Sequence, residues 1–203
     1  MTANKKQRRN KLKKSLKFFV AVVVIAIIII VFNPEKLILK IIYKLDYSEY
    51  VNKYAKENNI DRFLVFAIIK NESNFKCNIE SSMGAVGLMQ LMEATANEMA
   101  NELGENIVVK ENLYNPETNI KIGTKYFAYL LKHYKGNEQL ALSAYNAGMG
   151  NVDKWIEQGI IKSDGSNLEN IPYKETNNYV RKIVRDYKIY RELYVNGDVV
   201  ILT

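Results

Sequence analysis

The stretch RFLVFAIIKNES, residues 62–73, decides the fold. Its first nine residues are apolar nearly all round, a pattern that predicts a helix buried on every side. Asp61, directly before the stretch, is of the residue type that caps helix N-termini. Because Glu72 follows directly on the apolar helix, we expect its carboxyl group to lie against a hydrophobic wall.

The rest of the chain also predicts helices, and strand signals are confined to residues 198–201. Apolar residues recur at helical spacing on both sides of the central helix. The predicted flanking helices cover residues 46–59, 88–103, 119–133, 137–145 and 177–194. Thr176 is expected to cap the last of them. We predict one all-α domain over residues 47–195, preceded by a linker over residues 35–46.

The positive charge of the chain belongs to its N-terminus. The net charge is +7, but residues 1–17 carry eight basic residues and no acidic one. The remaining 186 residues therefore carry a net charge of −1. Nucleic-acid binding requires a basic face on the folded part, so no nucleic-acid partner is predicted.

An uninterrupted apolar run, FFVAVVVIAIIIIVF, follows the basic tail at residues 18–32. It is short for a membrane helix, which needs roughly 17 to 25 residues, but Lys17 can snorkel. We interpret residues 18–34 as an uncleaved, single-pass transmembrane signal anchor, because no small-x-small cleavage pattern follows Phe32; a cleaved signal peptide is the alternative. The positive-inside rule then places residues 1–17 in the cytoplasm and the domain in the extracellular or periplasmic space of a bacterial cell.

Cysteine and histidine are too few for an internal disulfide or a cluster of metal ligands. Cys77 is the single cysteine and His133 the single histidine. No metal and no cofactor is predicted.

Four short motifs, in a fixed order, carry the functional prediction. They are Asn71-Glu72-Ser73, GAVGLMQLM at residues 84–92, AYNAG at residues 144–148, and IPYKET at residues 171–176 followed by Tyr179-Val180. With Ser81, nine residues after Glu72, they resemble the soluble lytic transglycosylase (SLT) domain, a relative of goose-type lysozyme, over about residues 47–194. The resemblance implies a lysozyme-like helical fold. It also implies a lyase that cleaves the MurNAc-GlcNAc β-1,4 bond of cell-wall peptidoglycan and forms 1,6-anhydro-MurNAc.

The resemblance makes Glu72 the catalytic acid and base. Protonating a glycosidic oxygen needs a carboxylic acid whose pKa is raised, which desolvation provides. In this family the C6 hydroxyl of the sugar attacks its own anomeric carbon, the muramic N-acetyl group assists, and neither water nor a second carboxylate is needed. The hydroxyl of Tyr145 is suited to hold the N-acetyl carbonyl during this attack.

The same resemblance places seven further residues at the sugar cleft. They are Ser81, Gln90, Met92, Tyr145, Asn146, Glu175 and Tyr179. Glu175 and Tyr179 also have structural interpretations, as an acid near a helix start and as part of an apolar stripe. Glu93 and Met149 stand where the family usually has proline, and both are expected at loop or helix-start positions.

Two other functions fit the same sequence. One is a hydrolytic muramidase, in which water attacks instead of the C6 hydroxyl, with Glu80 as the nearby second acid. The other is a non-catalytic peptidoglycan-binding scaffold of an envelope machine, which the presence of Glu72 disfavours. The predicted partners are peptidoglycan glycan strands, the membrane through the N-terminal helix, and an envelope or secretion machinery.

Overall fold

The structure, a computed structural model, describes residues 13–25, 34–104 and 109–195. Residues 13–25 are helical (α1). The helices that follow are Pro34–Ile42 (α2), Ser48–Glu57 (α3), Arg62–Ser73 (α4), Glu93–Glu102 (α5), Pro116–His133 (α6), Glu138–Ala147 (α7), Met149–Glu157 (α8) and Lys174–Tyr194 (α9). Short 3-10 helices lie at Lys110–Tyr114 and Leu168–Asn170. The prediction of an all-α fold is confirmed for the described residues, whose only β pairing consists of isolated bridges.

The chain divides into two compact units, Met1–Lys44 and Leu45–Thr203. The first unit contains α1 and α2, and α2 lies, except for Pro34, within the predicted linker. None of the helices in the described part of the chain combines the length and the apolar character that a membrane span requires. The span predicted over residues 18–34 falls partly outside that part, because residues 26–33 are not described. The strand signals at residues 198–201 also fall outside it.

Helix α4 is the centre of the second unit. Its residues from Phe63 to Ile69 are all buried, as the apolar sequence predicts. Asp61 caps the helix by accepting a hydrogen bond of 2.9 Å from the backbone N–H of Phe63, so the predicted N-cap is confirmed. The helix ends where Asn74 adopts the left-handed conformation, with a φ of 49°. A buried, capped helix therefore ends one residue after Glu72.

Helices α4 and α9 run antiparallel. The rings of Phe63 and Tyr194 stack at 6.2 Å between centroids, and those of Phe66 and Tyr190 stack at 5.8 Å. The later residue of α4 thus pairs with the earlier residue of α9, as in an antiparallel pair of helices. This register brings the first turns of α9 next to the end of α4, where Glu72 lies.

The segment between α4 and α5 is irregular, and the helix predicted over residues 88–92 is wrong. Val86 forms an isolated bridge with Leu91, Gln90 has a φ of 48°, and α5 begins only at Glu93. Three apolar residues of this segment are instead buried from a loop. They are Leu88, Met89 and Leu91.

The two departures from the family's prolines both stand at helix starts, as predicted. Glu93 is the first residue of α5 and Met149 the first residue of α8. Proline is favoured at this position because the backbone N–H there needs no partner inside the helix. Other residues meet no backbone obstacle at the same position, so these replacements leave the helix starts intact.

The prediction of Thr176 as the N-cap of α9 is wrong. Thr176 lies inside the first turn of this helix. The cap position is Tyr173, which makes no side-chain capping bond. The Thr176 hydroxyl instead donates a hydrogen bond of 2.8 Å to Oδ1 of Asn146 at the end of α7. Trp155 of α8 packs edge-on against Tyr173, with ring centroids 5.0 Å apart. The start of α9 is thus fixed by contacts from α7 and α8.

Candidate active site

Glu72 lies in the last turn of α4 and is half-buried. Its Oε1 accepts a hydrogen bond of 2.5 Å from the hydroxyl of Tyr179 on α9. Burial raises the pKa of Glu72 to about 7, although the Tyr179 hydrogen bond acts in the opposite direction and lowers it. A carboxyl group with this pKa is present in both protonation states near neutral pH, which suits a group that first donates and then accepts a proton.

Two partly buried tyrosines lie beside Glu72. The pKa of Tyr145 on α7 and that of Tyr179 are raised well above the usual value, first by burial and then by the charge of Glu72. Both phenols therefore stay protonated near neutral pH. Tyr145 donates a hydrogen bond of 2.7 Å to the backbone carbonyl of Met89. The proton that we predicted to bind a sugar N-acetyl group is thus engaged by the protein itself.

Polar side chains from three helices hold the loop beside Glu72. The hydroxyl of Ser73 donates to the carbonyl of Leu88 at 2.8 Å. Asn119 of α6 accepts from the N–H of Met89 at 2.8 Å and donates to the carbonyl of Val86 at 2.9 Å. With the Tyr145 bond to Met89, these contacts pair the backbone of the buried segment 86–89, which has no regular secondary structure of its own.

Asn119 is a site-building residue that we did not predict from the sequence. It is completely buried. It precedes Gly123 by four residues and Phe127 by eight, so it lies on the apolar stripe of α6. An amide side chain at such a position signals a backbone segment that needs hydrogen bonds. Gly87 has to be glycine here, because its φ is +78° and a Cβ atom would overlap the Asn119 amide.

A cleft of about 470 Å³ opens beside Glu72. Four of the predicted site residues line it, namely Glu72, Asn146, Glu175 and Tyr179. Asn71, Lys174 and Lys182 line it as well. The end of α4, the end of α7 and the start of α9 therefore meet around one concave surface that contains a desolvated carboxyl group.

The other predicted site residues on the loop do not line this cleft. The Ser81 hydroxyl accepts a hydrogen bond of 3.0 Å from the N–H of Ala85 and so closes a tight turn. The side-chain amide of Gln90 donates back to the carbonyl of Gly87 at 2.9 Å. Met92 is 44% exposed, immediately before α5. In this structure Ser81 and Gln90 shape the loop between α4 and α5, and Met92 ends it.

The second acid considered for hydrolysis, Glu80, is exposed and has partners on both oxygens. Oε1 pairs with the Lys110 ammonium at 2.7 Å, and Oε2 accepts from the Tyr114 hydroxyl at 3.1 Å. The Lys110 and Tyr114 hydrogen bonds hold the pKa of Glu80 below its usual value. Glu80 is therefore an ionised carboxylate whose oxygens are already engaged.

A larger groove, of about 650 Å³, lies between other helices of the second unit. The acids that line it, Glu57 and Glu102, are exposed on the surface. It contains none of the predicted site residues. The cleft beside Glu72 is the better candidate because a partly buried carboxyl group and the predicted residues coincide there.

Over the described residues, the fold and the cleft define a helical, lysozyme-like domain with a desolvated carboxyl group at the end of its buried helix. The family model described as Transglycosylase SLT domain matches residues 49–165. The chain belongs to this family.

Similar proteins include soluble and membrane-bound members. The soluble lytic murein transglycosylase of Escherichia coli strain K12 is 32% identical over 77% of this chain and 24% of its own length. Membrane-bound lytic murein transglycosylase C of Edwardsiella ictaluri is 30% identical over 72% of this chain and 47% of its own. An inactive glutamate-to-glutamine mutant of the lytic transglycosylase Slt from Pseudomonas aeruginosa has a TM-score of 0.71 at 32% identity, covering 78% of this chain and 26% of that one. The chain thus spans about a quarter of the length of the soluble relatives and about half that of the membrane-bound one.

Proposed function

We propose that the chain is a peptidoglycan lytic transglycosylase, and that Glu72 cleaves the MurNAc-GlcNAc bond in the cleft between α4, α7 and α9. The observation that carries the proposal is the Glu72 carboxyl group, whose pKa burial raises to about 7 and which Tyr179 holds from α9. The inactive relative with glutamate changed to glutamine supports an essential carboxyl group. The family of the chain supports the choice of peptidoglycan as substrate.

In the proposed reaction, protonated Glu72 gives its proton to the glycosidic oxygen as the bond from that oxygen to the anomeric carbon of MurNAc breaks. The C6 hydroxyl oxygen of the same sugar then bonds to the anomeric carbon, assisted by the N-acetyl group. The C6 hydroxyl proton passes to the Glu72 carboxylate, which restores the acid. The products are a new GlcNAc end with a free hydroxyl and a 1,6-anhydro-MurNAc end, and no water is consumed.

Tyr179 has a defined part in this scheme. Its hydroxyl donates to the same carboxyl group that must lose and regain a proton. The hydrogen bond stabilises the carboxylate after the first transfer and fixes which carboxyl oxygen faces the cleft. Tyr145 acts further back, by holding the carbonyl of Met89 and with it the loop next to Glu72.

The products test the proposal directly. Purified peptidoglycan is digested with the chain and, in parallel, with Glu72→Gln, and the muropeptides are resolved by mass. We expect anhydro-muropeptides from the parent and no products from Glu72→Gln. Reducing-end products would establish the muramidase instead. If neither protein releases muropeptides but both still bind glycan, the non-catalytic scaffold would be established.

The surroundings of Glu80 favour the transglycosylase over the muramidase. A hydrolytic partner for Glu72 needs a carboxylate free to activate water. Both oxygens of Glu80 are engaged by Lys110 and Tyr114. We therefore expect Glu80→Gln to keep the product pattern and most of the rate, whereas a muramidase that used Glu80 would lose its rate.

We also propose that the apolar run at residues 18–32 anchors the enzyme in the membrane, with the domain on the outer face. The support is the sequence, a basic tail followed by fifteen apolar residues. An anchored domain acts on wall close to the membrane, where envelope and secretion machinery crosses it. The full chain should stay in the membrane fraction through an alkaline wash, and a variant with residues 18–32 replaced by polar sequence should not. Extraction of the parent by the wash would contradict the anchor.

A further inference from the structure

The side chain of Asn71 connects the active-site cleft with a buried carboxylate. Asn71 lines the cleft together with Glu72. Its Nδ2 donates to the carbonyl of Ala67 at 2.9 Å and to Oδ2 of Asp186 at 3.1 Å. Asp186 on α9 is completely buried, and Lys70 and Arg185 compensate its charge at 3.0 and 2.8 Å. The amide of Asn71 thus lies between the cleft and a fixed negative charge.

These neighbours determine which way the amide of Asn71 points. Neither the Ala67 carbonyl nor the Asp186 carboxylate has a proton to donate. Burial acts to raise the pKa of Asp186, but the hydrogen bonds from Lys70 and Arg185 together outweigh it, so the pKa lies below its usual value and the group is ionised. Turning the amide over would place Oδ1 against two acceptors, one of them charged. The amide therefore keeps Nδ2 towards Asp186 and Oδ1 on the opposite side.

The carbonyl oxygen of Asn71 is available to a ligand. Within the described residues the side-chain hydrogen bonds of Asn71 all involve Nδ2. No buried side-chain oxygen or nitrogen in that part of the chain is without a partner. An unbonded Oδ1 must therefore reach solvent, and the solvent beside Asn71 is the cleft.

From this arrangement we infer that Asn71 is a substrate-binding residue whose Oδ1 accepts a hydrogen bond from an N–H or O–H group of the glycan, and that Asp186 is the positioning residue that keeps this oxygen turned to the cleft. The inference rests on the proposed function, since it concerns the ligand of the same cleft. The ligand group is a hydrogen-bond donor, because a side-chain amide oxygen can only accept. Amide and hydroxyl groups of an amino sugar have this chemistry.

Binding in an inactive background tests the inference without turnover. The parent for the experiment is Glu72→Gln, and the probe is a soluble tetrasaccharide muropeptide titrated by calorimetry. Asn71→Leu, of similar size but without the acceptor, should weaken binding about five- to ten-fold, the effect of one hydrogen bond. Asp186→Asn should weaken binding by a similar factor, because an amide at this position can donate to Oδ1 of Asn71 and let the Asn71 amide turn over.

The double variant separates positioning from general damage. If Asp186 acts through the amide of Asn71, then Asp186→Asn causes no further loss once Asn71 is leucine. Lys70→Met is the matched control. It breaks the buried ion pair with Asp186 but leaves the orientation of the Asn71 amide unchanged. It should therefore lower the unfolding temperature and leave binding unchanged. All titrations are made below the unfolding temperature of each variant.

The outcomes distinguish this inference from the proposed function. Unchanged binding in Asn71→Leu would overturn the role of Asn71. Additive losses in the double variant would overturn the positioning role of Asp186. Absence of any muropeptide binding by the Glu72→Gln parent would contradict the proposed function itself.

Discussion

Glu72 owes its chemistry to its position at the boundary between an apolar helix and solvent. Burial accounts for the raised pKa, and Tyr179 moderates it. The first of these effects can be predicted from the sequence, because seven consecutive buried residues precede the end of α4. The second cannot, because Tyr179 lies 107 residues further along the chain.

The raised pKa of Glu72 makes this residue unfavourable for stability at high pH. A carboxyl group whose pKa is higher in the folded state contributes stability that is present below its unfolded pKa and lost as the pH rises towards about 7. Glu72→Gln should therefore be more stable than the parent at pH 8, by on the order of 2 kcal/mol, and equal to it at about pH 4. Urea unfolding at the two pH values measures the difference.

Glu80→Gln is the control of opposite sign for this experiment. The pKa of Glu80 lies below its usual value through its bonds to Lys110 and Tyr114, so its contribution is present at pH 8 and lost in acid. The Glu80 variant should be the less stable protein at pH 8. Equal pH dependence in both variants would contradict the assignment of the raised pKa to Glu72.

Tyr179→Phe isolates the hydrogen bond to Glu72. Its loss removes the effect that lowers the pKa of Glu72, so the pKa should rise further, by up to about one unit for a bond of this kind. The high-pH limb of the kcat/KM profile should move to higher pH by the same number of units. The maximum rate should fall, because the carboxylate is less stabilised. A limb that stays in place would show that the bond does not form in the working enzyme.

Among the structural elements, the loop between α4 and α5 shows why contacts distant in sequence matter. Its apolar residues mimic a helix, but Ser73, Asn119 and Tyr145 hold its backbone in another shape. Thr176 shows the same limit on α9, since its hydroxyl bonds Asn146 rather than its own helix. By contrast, Asp61 could be predicted as a cap because its partner, the N–H of Phe63, is only two residues away.

Two glycines of this loop form a matched pair of mutations. Both Gly84 and Gly87 have positive φ, at +84° and +78°, but a Cβ atom meets open space at the first and the Asn119 amide at the second. Gly84→Ala should cost about 1 kcal/mol of stability, from backbone strain alone. Gly87→Ala should cost at least about 2 kcal/mol more and lower kcat/KM, because it displaces the contact that fixes Met89. Thermal unfolding measures the first effect and peptidoglycan digestion the second. Similar behaviour of the two variants would contradict the role of Asn119 in holding the loop.

The predicted site residues divide into those that line the cleft and those that do not. Glu72, Asn146, Glu175 and Tyr179 line one cleft, although they come from three separate motifs. Ser81, Gln90, Met92 and Tyr145 came from the same resemblance and lie outside its lining. A motif preserves residues that build the backbone as well as residues that meet the ligand, and sequence spacing does not separate the two roles.

At the scale of the whole molecule, Leu45–Thr203 forms a compact unit distinct from Met1–Lys44. We expect residues 45–203 alone to unfold cooperatively at the same midpoint as the full chain and to digest isolated peptidoglycan at the same rate, because the elements that line the cleft all belong to this unit. Calorimetry and a digestion assay on both proteins check this. A broad or lowered transition in the shorter protein would show that the first 44 residues contribute to the stability of the domain.

Trp155 gives this molecule a built-in optical reporter. It is the single tryptophan of the chain, is 5% exposed, and touches the ring of Tyr173, the residue that precedes α9. The next two residues, Lys174 and Glu175, line the cleft. Its emission spectrum therefore monitors the wall of the cleft through one neighbouring ring, so that movement of this wall on glycan binding can be followed in real time, without any label.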